Sequence, residues 1–214
     1  MDVKSNISRI ISRIPSNVNL VVVVKSATLD SIKKTLDSQV RDLAFNSYQQ
    51  LAAINKLILK DFRRHFIGHI QSNKVKKIIL ERPFLIQSVD SFKLAKKLNE
   101  VCKELNFNQD ILLQIKTDED KEYGFDSDEL REVLFRIEME LKNLNIRGLM
   151  TIPPKKEVGN LKEVFSDMKI LFNKCESYLG RKLDYLSMGM SDDFKEAIEN
   201  GSNMIRIGRE IFSD

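Results

Sequence analysis

The sequence predicts an α/β protein, a single (β/α)8 TIM-type barrel over residues 1–214 with an extra N-terminal helix. Three observations predict it. Eight short apolar runs alternate with amphipathic segments, and such alternation implies parallel strands joined by right-handed crossovers. The first run, Leu20-Val21-Val22-Val23-Val24, is apolar at every position, as a strand covered on both faces must be. A length of 214 residues suits one closed barrel, for which about 200 can suffice. Periodicity leaves a doubly wound open sheet as the alternative. That fold calls for a glycine-rich turn after the first strand, and Lys25-Ser26-Ala27-Thr28 contains no glycine.

In order along the chain, Ile7, Ile10, Ile11 and Ile14 have helical spacing and predict a helix before the first strand. The apolar runs are Leu20 to Val24, Asp42 to Phe45, His65 to Gly68, Phe84 to Val89, Ile111 to Ile115, Ile146 to Met150, Leu183 to Leu186 and Met204 to Ile207. Helical patterns fill the gaps at Ser31 to Gln39, Tyr48 to Lys60, Ser91 to Leu105, Asp126 to Leu144, Asn160 to Leu179 and Ser191 to Asn200. Several open on Ser, Asp or Asn, the residues that cap helix N-termini. Between the third and fourth runs, Gln71-Ser72-Asn73 starts a further helix. Pro153-Pro154-Lys155-Lys156 reads as a loop after strand six, and no stretch rich in Pro, Gly or Ser divides the chain into domains.

Hydrophobic residues make up 42% and charged residues 31%, with 4 Pro and 8 Gly, the profile of an ordered protein. The formal charge of +4 is spread along the chain, which argues against a nucleic-acid partner and is compatible with phosphorylated ligands. Cys102 and Cys175 lie far apart in helical segments and read as reduced and structural. No apolar stretch has the length of a signal peptide or a membrane span, so a cytoplasmic protein is expected. No face shows an apolar excess, which points to a monomer.

Lys25 follows the valine run and shares the parity of Val21 and Val23, so it points toward the interior of a closed barrel. An amine held there is desolvated and made nucleophilic toward carbonyls. The plainer reading is a strand that ends where solvent begins, and the strand alone leaves both open. Barrel sites lie at the C-terminal strand ends, often with a phosphate held by the loops after strands seven and eight. Here those loops are Ser187-Met188-Gly189-Met190-Ser191-Asp192-Asp193 and Gly208-Arg209. They offer hydroxyls, backbone amides and helix N-termini to an anion. Ser191 reads equally as a helix N-cap, with Asp192 and Asp193 as first-turn acids. Arg206, between Ile205 and Ile207, faces opposite to them, and a buried arginine needs a polar partner. His65 and His69 flank Gly68, which breaks the helix that a metal-binding pair at this spacing needs.

These segments together resemble the pyridoxal-phosphate homeostasis protein family, whose barrel is similar to that of alanine racemase. The resemblance runs from about Val18 to Phe212. It rests on Val22-Val23-Val24-Lys25, on His65-Phe66-Ile67-Gly68 with Gln71-Ser72-Asn73-Lys74, and on Gly148-Leu149-Met150-Thr151-Ile152. Leu186 to Asp193, and Ile205-Arg206-Ile207-Gly208 with Ile211-Phe212, complete it. The resemblance implies that pyridoxal 5′-phosphate forms an internal aldimine with Lys25. It implies that Ser187, Ser191 and the backbone at Gly189, Gly208 and Arg209 hold the phosphate, and that Arg206 lies beside the cofactor. Ser47 and Met150 complete the implied contacts, and His69 and Asn73 line the pocket. The family's Gly-Glu-Asn-Tyr after strand two stands here as Phe45-Asn46-Ser47-Tyr48, and a lysine of the loop after strand five is replaced by Glu122, beside Lys121.

The function this implies is binding of pyridoxal 5′-phosphate in intracellular vitamin B6 homeostasis, buffering or delivering it without robust catalysis. Small amino acids are expected as further ligands, pyridoxal-dependent apoenzymes as recipients, and no metal. A racemase of this barrel type needs a second acid/base on the opposite face of the cofactor, from an additional β domain and a partner subunit. A minimal racemase is the alternative. A barrel enzyme that joins a phosphorylated sugar to a lysine is the third reading.

Overall fold

The computed structural model describes residues 2–117, 122–154 and 160–213. Lys121, Lys155 and Lys156 lie outside the described residues. Eight parallel strands close in sequence order into a barrel: β1 (Asn19–Val23), β2 (Asp42–Phe45), β3 (Arg63–Phe66), β4 (Leu85–Val89), β5 (Gln109–Gln114), β6 (Leu144–Met150), β7 (Tyr185–Ser187) and β8 (Met204–Ile207), with β8 paired to β1. The open sheet is thereby ruled out, and the fold is a (β/α)8 barrel.

Side-chain alternation builds two cores. Val22, Phe45, Ile86, Ile205 and Ile207 face outward into the layer beneath the helices. Val21, Ala44, Leu85, Leu112, Met150 and Met204 fill the barrel itself. The helices are α1 (Val3–Ile11), α2 (Leu29–Leu36), α3 (Tyr48–Leu57), α4 (Val75–Leu80), α5 (Phe92–Glu104), α6 (Leu130–Glu140), α7 (Leu161–Leu179), α8 (Phe194–Glu199) and α9 (Arg209–Phe212). The extra helix α1 buries Ile7 and Ile10, and its Asn6 Nδ2 donates to the Ile211 carbonyl at 3.1 Å.

Caps fix where the helices leave the strand ends. Ser91 Oγ accepts the Leu94 amide as the sequence suggests, whereas α2 begins at Leu29 under Thr28, whose Oγ1 accepts the Ser31 amide. Strand β3 begins two residues before the predicted start because its first residues, Arg63 and Arg64, are charged and hide the strand from an apolar pattern. Cys102 and Cys175 are free and buried, and burial pushes their thiols up to about 11 and about 12. No helix among the described residues is long and apolar enough to cross a membrane.

Candidate functional site

The barrel interior is not wholly apolar. Asp42 opens β2, and the third residues of β3, β4 and β8 are His65, Gln87 and Arg206; Ser187 ends β7. All five are buried and form one hydrogen-bonded row. Arg206 Nη1 donates to Ser187 Oγ at 2.7 Å, and Ser187 Oγ donates to Gln87 Oε1 at 2.7 Å. Gln87 Nε2 lies 3.0 Å from His65 Nδ1, and His65 Nε2 lies 2.8 Å from Asp42 Oδ1. Arg63 Nη2 closes the row at the N-terminal end of the barrel, 2.5 Å from Asp42 Oδ2.

Burial pushes the His65 imidazole below its ordinary range, against the opposing pull of Asp42, so the ring is neutral near pH 7. Burial also works against the Asp42 carboxylate, but hydrogen bonds from His65 and Arg63 overcome it and hold its carboxyl below the usual value. A carboxylate only accepts, so His65 carries its proton on Nε2 and leaves Nδ1 to accept from Gln87.

Arg206 stands at the C-terminal end of this row. Its Nη2 also donates to the Thr151 carbonyl at 2.7 Å, just beyond β6. Burial lowers its pKa to about 10, opposed by the Asp193 carboxylate. The guanidinium remains charged near pH 7, with neutral oxygens as the acceptors at both of these bonds.

The loops after β7 and β8 meet above it. Gly189 has φ +97°, and a Cβ there would lie 2.7 Å from the Ala197 Cβ. A Cβ on Gly208 would lie 2.9 Å from the Val23 carbonyl oxygen, so glycine lets the end of β8 close against β1. Gly208 then leads into α9, where the Ile211 and Phe212 amides donate back to the Gly208 carbonyl and the amides of Arg209 and Glu210, at the first two positions, precede any intrahelical acceptor. Ser191 is half-buried in the same rim. The cap position of α8 belongs to Asp193, two residues later, whose Oδ1 accepts the Met190 amide at 2.6 Å. The side chain of Arg209 turns to solvent and pairs with Asp192, so only its backbone is left for the rim.

Two expectations need correction. The Ser187 hydroxyl is enclosed in the barrel and committed to Arg206 and Gln87, not open in the anion loop. Lys25 is exposed, not buried. Strand β1 stops at Val23 and the chain turns at Lys25, so Lys25 stands beyond the strand end and not in the packed interior. This turn is tied down by Gln50, whose Nε2 donates to the Val24 carbonyl at 2.6 Å. Ser47, also exposed, caps α3 by accepting the Gln50 amide at 3.3 Å.

Met150 is buried in the barrel interior at the end of β6. On the opposite rim His69 Nδ1 meets Asp90 Oδ2 at 3.0 Å, and its ring lies over Tyr123 at 4.0 Å. Asn73 is exposed in the short turn of helix before α4. The mouth therefore brings together an exposed amine, a rim of backbone amides and a fixed buried guanidinium. Sequence reasoning missed Asp42, Gln87 and the inward role of His65; their shared inward parity within the strands was the available signal.

The family model described as alanine racemase, N-terminal domain, matches residues 2–214. A pyridoxal phosphate homeostasis protein of Synechocystis sp. is 40% identical over 212 residues, covering 97% of this chain and 96% of that protein. One from Escherichia coli K12 is 32% identical, covering 94% of this chain and 87% of its own length. The solved structure of PipY from Synechococcus elongatus, described with PLP bound, matches with a TM-score of 0.90 at 29% identity, over 99% of this chain and 100% of that one. An alanine racemase of Clostridium difficile, 15% identical with a TM-score of 0.85, shares the fold; this chain covers 56% of it.

Proposed function

The chain belongs to the pyridoxal phosphate homeostasis protein family, and we propose that it carries pyridoxal 5′-phosphate at the C-terminal mouth of its barrel and buffers or delivers it. When bound, that cofactor supplies an aldehyde carbon, an electron-withdrawing ring and a phosphate dianion. The residues at the mouth suit each part. Lys25 offers an amine accessible to an incoming aldehyde. The backbone at Gly189, Gly208 and Arg209, with the Ser191 hydroxyl, suits a phosphate, because glycine permits the close approach and helix-start amides favour anions. Met150 contributes to the apolar floor.

Arg206 carries the reading. A guanidinium buried at this depth, two residues before Gly208 and fixed through Ser187 and Thr151, is a rigid cationic donor beneath the rim, where an anionic, ring-bearing ligand compensates its burial. In this reading 1–214 acts as one domain, a cytoplasmic monomer whose further ligands are small amino acids and whose recipients are pyridoxal-dependent apoenzymes. The test is the absorption spectrum of the protein mixed with pyridoxal 5′-phosphate, followed by borohydride reduction and peptide mass analysis. We expect a new near-visible band and a label on Lys25. An unchanged spectrum, or a label on another lysine, overturns it.

A further inference from the structure

We infer that Gln87 and His65 are positioning residues of the cofactor site: through the Ser187 hydroxyl they set the place and hydrogen-bond sense of the Arg206 guanidinium. The inference rests on Arg206 facing the cofactor.

The row starts at the N-terminal end of the barrel. The Asp42 carboxylate has no proton to give, so His65 must present Nε2–H to it at 2.8 Å. Nδ1 is then a lone pair, and the group 3.0 Å away must be the Gln87 amino group. That fixes the flip of the Gln87 amide and turns Oε1 toward Ser187, 2.7 Å away. The Ser187 proton is therefore spent on Gln87, and its oxygen is left as an acceptor for Arg206. With the opposite flip, Gln87 and Arg206 would both donate to one oxygen and leave the serine proton without an acceptor. Each of the four bonds from Arg206 to Asp42 points from the cation at the mouth toward the anion at the base, an alignment that strengthens a buried row in a low-dielectric interior. Neither His65 nor Gln87 reaches the mouth, and both act through Ser187.

The test replaces Gln87 by methionine, which keeps its length and removes both polar ends, and titrates each protein with pyridoxal 5′-phosphate by absorbance. We expect Q87M to bind about tenfold or more weakly, a change of about 1.4 kcal/mol, and to shift the absorption maximum of the bound cofactor. In the R206Q background Q87M should add little, because the residue it positions is gone. Unchanged affinity and spectrum in Q87M, or a full additive loss in the double variant, overturns the inference while wild-type binding leaves the carrier reading intact. Failure of the wild type to bind overturns both. If Q87M does not fold, 15N NMR of the wild type decides: Nδ1 of His65 should be unprotonated and Nε2 protonated at pH 7. The reverse pattern overturns the inference.

Discussion

Arg206 and Ser187 sit 19 residues apart, and the guanidinium holds the hydroxyl at 2.7 Å inside a closed barrel, where both side chains are buried. The serine that sequence places in an anion loop is instead the rest on which the arginine lies. S187A should leave Gln87 Oε1 and Arg206 Nη1 each short of a partner, at a cost of about 1–3 kcal/mol. Denaturant melts should show this loss in S187A. S191A should show no comparable loss and should weaken only cofactor binding.

Arg206→Gln should leave the barrel folded and weaken retention of pyridoxal 5′-phosphate. The charge is lost while an amide keeps a donor near Ser187. Dialysis followed by absorbance would measure retention, and wild-type retention in R206Q would make Arg206 purely structural.

Lys25→Ala removes an exposed side chain, so its effect on stability should stay within about 0.5 kcal/mol. Its effect on chemistry should be complete. Borohydride should fix no cofactor to K25A, and a melting curve on the same sample should overlay the wild type.

Gly208→Ala places a Cβ 2.9 Å from the Val23 carbonyl oxygen, a backbone atom with little freedom to yield. We expect a loss of about 1–3 kcal/mol, typical of overpacking, together with weaker phosphate binding as β8 is pushed from β1. Titration with inorganic phosphate, read against a melt of the same variant, separates the two effects.

Acid should destabilise the protein through His65. Its folded pKa lies below the unfolded value near 6.5 because of burial, so the unfolded chain binds the extra proton first. Stability from this group is full above about pH 6.5 and is lost as pH falls toward the folded pKa. Asp42, lowered in the fold by its bonds to His65 and Arg63, adds a loss of the same sign at lower pH. Melts between pH 7.5 and 5 should show a falling midpoint, with a shallower slope in His65→Gln.

The strands were legible because a parallel strand buried on both faces must be apolar throughout; β2 and β8 fall where the pattern places them. The polar row was not. Asp42, His65, Gln87, Ser187 and Arg206 belong to five strands separated by long helical crossovers, and only closure of the sheet brings them together. Each local pattern has its own bland explanation: Asp42 as a strand boundary, His65 as the polar start of a short strand, Ser187 as part of an anion loop. Lys25 failed differently. Parity is a property of extended backbone, and two residues beyond Val23 the backbone is already turning.

The row also constrains how this barrel can change. An apolar side chain introduced at one position strands the groups on either side of it, while replacing every partner together leaves no orphan. The interior therefore drifts as a block: hydrocarbon at 42, 65, 87 and 187 in combination leaves only Arg206 Nη1 short of its buried partner, while single steps toward it strand further groups of the row. A lineage that made the whole exchange would carry one unpaired guanidinium nitrogen and leave Arg206 steadied by the Thr151 carbonyl alone, with a guanidinium freer to swing at the mouth.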